Sequence, residues 1–478
     1  METNKTSDAL DALLGEASIP RLNLLTMFRL GIFQMGLGIM SLLTLGVINR
    51  VMIDELKIPA LIASGAIAMH QFVAPARIWF GQMSDAKPIW GMHRTPYVWV
   101  GAILFTITSF VALQTVWQLN AALSPSGEWG TMSYLWALML ALVFAVYGLA
   151  LSASSTPFTA MLVDVSDEDN RSKLVSIVWS MLMVGIIIGA IISSGLLKQI
   201  ELDAPLEQLR GQVDRLFVIV PAMVLVLVFI ATVGVEKKYS RYGSRSTITD
   251  REDSITLGKA LRILTASRQT GIFFFFLLVM SISLFMQDAV LEPYGGEVFG
   301  MKIAETTRLN AFFGMGTLVG IGSTGFLIVP RLGKQKTALY GCIGVAVCMG
   351  LLIASGFVGK PGMLMGSLLL FGMVSGVLTA GAIGLMLDLT AAETAGTFVG
   401  AWGLAQAMAR GLATVAGGAV LDLGRNLFDL PVLAYGAVFA TQAVGMILSI
   451  WLLNQVSVQE FRDNAKRAIM AVIEGELD

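Results

Sequence analysis

One recurrence constrains this chain more than any single motif. Apolar stretches of about twenty residues, the length that crosses a bilayer as one helix, return along all 478 residues. Twelve can be marked, near 26–48, 59–82, 96–118, 133–163, 173–197, 214–235, 270–292, 307–330, 337–358, 362–388, 395–421 and 430–454. In hydrocarbon every backbone amide must find its partner within the protein, so runs of this length predict helical spans. The balance of residues agrees: 55% are hydrophobic and 14% charged, whereas soluble domains carry about a quarter charged residues. Fifty glycines suit helices that approach closely in a membrane. A formal net charge of −1 offers no general attraction to polyanions, and no nucleic-acid partner is expected.

Twelve spans put both termini on one side. Most of the 32 lysines and arginines fall on that side, so both termini are expected to be cytoplasmic. The opening METNKTSDALDALLGEASIP has no basic region followed by an apolar core, and no cleavable signal peptide is expected. The expected organisation is a cytoplasmic N-terminal segment (1–23), a six-helix bundle (24–235), a cytoplasmic linker (236–269), a second six-helix bundle (270–454) and a cytoplasmic tail (455–478). In the linker, Ile255, Leu257, Leu261 and Leu264 fall roughly on one face. The segment is either an interfacial amphipathic helix or a solvated connection. The halves resemble each other: MLVDVSDEDNRSKLV (161–175) aligns with LMLDLTAAETAGTFV (385–399), matching Asp164 to Asp388. The expected fold is an all-α membrane protein, twelve transmembrane helices in two pseudo-symmetric six-helix bundles, as in parallel-repeat transporters.

Polar residues inside spans mark pathways or partners. His70 and Arg77 lie seven apart, which on an unbroken helix places them on one face, and Pro75 between them should loosen the helix. His70 fits three roles: ligating a metal, shuttling a proton, or bonding within the bundle. Arg410 lies mid-span with Trp402 and Gln406 at helical spacing, a polar and aromatic stripe expected to face inward. A buried arginine is costly unless paired; its partner is an acid, backbone carbonyls or an anionic substrate. Asp288 and Glu292 sit a turn apart near the end of the seventh span, which Pro293 is expected to close. Arg50 ends the repeat-related first span. It is expected to pair with Asp288 or Glu292 as an outer gate, unless these are simply exposed charges. Gly31, Gln34 and Gly38 mark a close-packing face of the first span. Cys342 and Cys348 lie in one apolar segment without metal or disulfide spacing and read as inert thiols. No phosphate-binding loop, metal-ligand cluster or nucleophile–base set is readable, so an enzyme is not expected.

Gly81-x-x-Ser84-Asp85, followed by Arg94, resembles the signature loop of the major facilitator superfamily. The intervening AKPIWGMHRTPY lengthens that loop. This spacing, the Arg94–Tyr97 stretch and the segment 160–191 resemble the PucC-type, or bacteriochlorophyll-delivery, branch, over about 24–454. The resemblance implies a major facilitator fold in the inner or thylakoid membrane of a photosynthetic bacterium. It implies handling or delivery of (bacterio)chlorophyll for assembly of light-harvesting and photosynthetic complexes. The implied partners are membrane lipids and chlorophyll-binding antenna or photosystem subunits. Chlorophyll or bacteriochlorophyll would be the bound ligand, with His70, Arg77, Gln406 and Arg410 as candidate contacts and His70 as candidate magnesium ligand. It also implies a conformational latch of Gly81, Asp85, Arg94 and Asp164, with Asp388 and Arg331 or Lys334 as its second-half counterpart. Asp85 would cap a helix of the other half, closing the cytoplasmic side and favouring an outward-facing state. The alternatives are a proton-coupled carrier of a small amphipathic solute and a scaffold that transports nothing.

Overall fold

A computed structural model describes residues 22–123, 129–166, 168–200, 204–240, 268–388 and 395–457. The candidate amphipathic segment at 255–264 and both chain termini lie outside the described residues. Ten of the described helices are long and apolar enough to cross a membrane. The other two expected spans are also helical, but differently made. The second is interrupted, running Ala60–Phe72 and Ala76–Ala86. The eighth, Ile303–Ser323, carries Glu305, Arg308 and Asn310 in its opening turns.

The first span continues past its expected end, from Leu24 to Glu55. It does so through two wide turns of π geometry, Leu42–Val47 and Val51–Glu55. Each shifts the helical register, and the buried face there takes in Asn49 and Arg50. The third to sixth spans are Thr95–Ala121, Thr131–Val165, Glu168–Leu196 and Leu206–Thr232. The chain then turns at Gly234, whose φ of 73° favours glycine. The short helix Val235–Tyr239 follows, with Val235, Glu236 and Tyr239 buried. The expected linker therefore begins as part of the packed first half.

The seventh span, Arg268–Phe285, ends in a tight 3-10 turn over Met286–Ala289, and a separate helix spans Leu291–Phe299. Pro293 does not close the seventh span as expected. It sits in the first turn of the new helix, where its missing N–H costs nothing. The ninth to twelfth spans are Lys334–Val358, Pro361–Asp388, Ala395–Leu427 and Pro431–Asn454.

Two seams join the halves: the fifth span packs on the eighth, and the second on the eleventh. Within the second half, Gly316 and Gly320 of the eighth span meet the Leu369 and Met373 backbone of the tenth. Gly372 and Gly376 return the contact on Phe313 and Thr317. A Cβ at any of these four positions would collide with backbone, so small residues set the helix spacing. One face of the molecule carries both ends of the described chain, Leu22 and Ser457. It is called the terminal face, and the opposite one the distal face.

Candidate functional site

On the terminal face the Gly81–Asp85 turn wraps around Arg94. The Arg94 guanidinium lies 2.5 Å from Asp85, donates to Asp164 through Nε at 2.8 Å, and donates to Ser84 Oγ at 2.6 Å. Ser84 in turn donates to the Gly81 carbonyl at 2.8 Å. Gly81 faces Thr156 of the fourth span. Glu236 accepts from the backbone N–H groups of His93, Arg94 and Thr95 at 2.6, 3.0 and 2.6 Å. It caps the third span, whose Arg94 N-cap makes no side-chain cap of its own. His93 Nδ1 lies 3.2 Å from the Ser84 carbonyl. Burial opposes the charge on Arg94, but the Asp164 and Asp85 carboxylates outweigh it and hold its pKa above the ordinary arginine value. These described contacts all lie within the first half.

Midway through the membrane, the second, seventh and eleventh spans converge on Arg410. The second span tightens at Val73–Pro75 into a 3-10-like turn, where Ala74 and Ala76 donate three residues back instead of four. Directly opposite, a Cβ on Gly411 would come within 3.0 Å of the Phe72 ring. Arg410 stacks over the Phe285 ring at 4.0 Å and reaches Asp288 at 3.6 Å. Its guanidinium remains 43% exposed. The second and eleventh spans are antiparallel at this seam, Gly418 meeting Ala60 and Ser64 while Gly411 meets Gln71 and Phe72. Gln406 and Arg410 therefore flank the tight turn. Arg410 acts electrostatically on both His70 and Arg77.

His70 lies edge-on to Tyr147 of the fourth span, with ring centroids 6.2 Å apart. Its Nδ1 is 2.5 Å from the Ile67 carbonyl, which can only accept, so Nδ1 carries the proton. Nε2 then accepts from the Gln71 amide at 2.7 Å. Both ring nitrogens are engaged, and a magnesium ligand would first have to displace Gln71. His70 and Arg77 were expected to share a helix face; the tight turn at Val73–Pro75 lies between them.

At the distal face, polar contacts cross between the halves. Arg50 is paired with Asp54 and lies 3.3 Å from Glu55, and it donates to the Met301 carbonyl of the other half at 3.4 Å. Asn49 donates to the Ala289 carbonyl at 2.5 Å. Asp422 accepts from the backbone N–H groups of Ala60 and Leu61 at 2.9 and 2.8 Å, capping the second span from the eleventh. Lys57 lies 3.7 Å from Glu297, which pairs with Arg425 at 2.6 Å. Arg308 donates to Ser194 Oγ at 2.7 Å across the fifth–eighth seam.

Arg50 was expected to pair with Asp288 or Glu292. Asp288 lies within the 3-10 turn and reaches Arg410. Arg50 finds carboxylates within its own helix and lies against Gly296, one turn from Glu292. Glu292 is buried and accepts from Asn310 at 2.5 Å, and its carboxylate lies against Gly46 of the first span. The side chains of Asp388 and Trp402 lie outside the described ones. Gln34 lines a groove between the first, fourth and fifth spans with Phe158, Thr159 and Trp179. Gly31 and Gly38 pack on the fifth span, against Met181 and Leu182. Cys342 and Cys348 are buried free thiols. Glu236, Asp54, Asp422 and Arg425 escaped the sequence reading. The signal available was an acidic residue at the end of an apolar run, opposite a helix start with no cap of its own.

This arrangement, two related helical bundles meeting along a seam with charged clusters at mid-span and at both faces, is a major-facilitator-type fold. Solved structures share it: the nucleoside transporter NupG, with a TM-score of 0.66 at 13% identity over 90% of this chain and 99% of that one. So does a bacterial homologue of the iron transporter ferroportin in an inward-facing state, with a TM-score of 0.64 at 13% identity over 91% and 99%. The family model for the PUCC protein matches residues 47–461, and the chain belongs to that family. Among its relatives, the bacteriochlorophyll synthase 44.5 kDa chain of Rhodobacter capsulatus is 30% identical over 90% of this chain and 95% of that protein. Protein PucC of the same species is 28% identical over 89% and 90%. The chain is thus an integral membrane protein of a photosynthesis-related family.

Proposed function

We propose that the protein handles or delivers (bacterio)chlorophyll, or a close precursor, for assembly of light-harvesting and photosynthetic complexes. Membership of the PUCC family along residues 47–461 carries this reading. A relative named for bacteriochlorophyll synthesis supports it. The pigment would contact the seam of the second, seventh and eleventh spans, where Arg77, Gln406 and Arg410 would gather beside the tight turn. His70 supports that wall through Gln71. Both termini and the terminal face would be cytoplasmic, in the inner or thylakoid membrane, with antenna or photosystem subunits as recipients. The distal contacts between the halves support a state open toward the terminal face. The Arg94 cluster would act as a brace and, with Asp388 and Lys334 or Arg331 in the second half, as part of the terminal-face latch.

The test is a spectrum. Protein purified in mild detergent from a pigmented host should carry a chlorin absorption band in stoichiometric amount. A colourless protein that moves a small solute in response to a pH gradient would sink the reading in favour of a proton-coupled carrier. Recovery of antenna subunits without pigment would favour a scaffold.

A further inference from the structure

We infer that the seam at Arg77 and Arg410 is an anion site, selecting a ligand with an ionised acid group on a bulky apolar body over its neutral ester. This deepens the pigment reading, but only the apolar body rests on that reading; the acid group rests on the side chains themselves. Arg410 and Arg77 lie on different halves of the molecule, and the antiparallel register, with Gly418 on Ala60 and Ser64 and Gly411 on Gln71 and Phe72, carries Arg77 to the level of Gln406, one turn from Arg410. Two guanidinium groups repel at membrane depth, and each is costly there without an anion. The carboxylate in contact is Asp288, at 3.6 Å from Arg410, beyond the range of a charge-assisted hydrogen bond. Among the described residues it is the carboxylate paired with either guanidinium, and it offsets one of their two positive charges. His70, with Nδ1 donating to backbone and Nε2 accepting from Gln71, is neutral.

Arg410 is held from one side only, by the Phe285 ring at 4.0 Å and by Asp288 on the same span, and 43% of it stays accessible. Its fork is thus fixed in direction with donors to spare, which suits two-point binding of a carboxylate or phosphate. Phe72 and Phe285 supply apolar wall beside the charges.

The test compares acid and ester forms of two different bodies on purified protein: chlorophyllide against its methyl ester, and palmitate against methyl palmitate. At least one acid should bind about tenfold or more tightly than its ester, equivalent to about 1.4 kcal/mol. Arg410→Gln should abolish that preference and Arg77→Gln should reduce it, while Arg410→Lys retains part of it. Thermal unfolding of each variant checks that the fold persists. Equal binding of acid and ester, or a preference that survives Arg410→Gln in folded protein, overturns the anion site. So does binding of neither body. If both chlorophyllide forms bind equally and palmitate shows no preference over its ester, the pigment reading stands and the anion site falls. If palmitate shows the preference and neither chlorophyllide form binds, the anion site stands and the pigment reading falls.

Discussion

The two faces of the molecule use similar side chains to different effect. On the terminal face, Arg94 holds Asp85, Asp164 and Ser84 while Glu236 caps the third span, and these residues belong to one half. At the distal face, Asp422 caps the second span from the other half, and Lys57 reaches Glu297 across the same divide. The first arrangement stiffens a body. The second ties two bodies together and must come apart whenever they separate. Charge chemistry alone does not distinguish brace from latch; what matters is which helices supply the partners.

The sharpest way to break this comparison is Arg94→Ala. It strands two carboxylates that share a guanidinium only 5% exposed, and loss of one partner of a buried ion pair costs about 3–5 kcal/mol. Thermal unfolding in detergent should fall accordingly, with little change in labelling at the distal face. If labelling changes while stability holds, the brace assignment is wrong. Asp422→Ala should do the reverse. Losing a helix cap costs about 1 kcal/mol, but a cysteine replacing buried Met301, in a background without Cys342 and Cys348, should label several times faster. An unchanged labelling rate would mean that the cap does not help hold the halves together. The smallest effect belongs to Lys57→Ala. Its ammonium is 69% exposed and 3.7 Å from Glu297, and such pairs contribute about 0.5 kcal/mol. A double-mutant cycle with Glu297→Ala well above that figure would show a tighter seam than the geometry implies.

How much of this could be read from sequence differs by level. Spans were legible because hydrocarbon imposes one length and one composition on each. The interruption at Val73–Ala74–Pro75 was partly legible in Pro75, which the sequence reading took to loosen the second span. Its tightness was not, since amides bonded three residues back rather than four leave no mark in hydropathy. Arg94 was placed with Asp164, and the structure has them 2.8 Å apart. Glu236 was hidden in a basic run, because a cap is defined by the amide it meets and not by its neighbours in the chain. Repeat symmetry pointed Arg50 at Asp288 or Glu292, and Arg50 lies against the helix that carries Glu292. The two halves diverge where the seventh span tightens into a 3-10 turn, and a turn of that kind leaves little trace in hydropathy.

One contact has a practical corollary. Pro59, at the start of the second span, supplies no side-chain cap, so the amide protons of Ala60 and Leu61 depend on a carboxylate carried by the opposite half. Deuterium uptake at those two amides would then run slowly while the halves touch and quickly once they part. The chain would thus carry its own clock for the opening of its distal face, readable without any added probe.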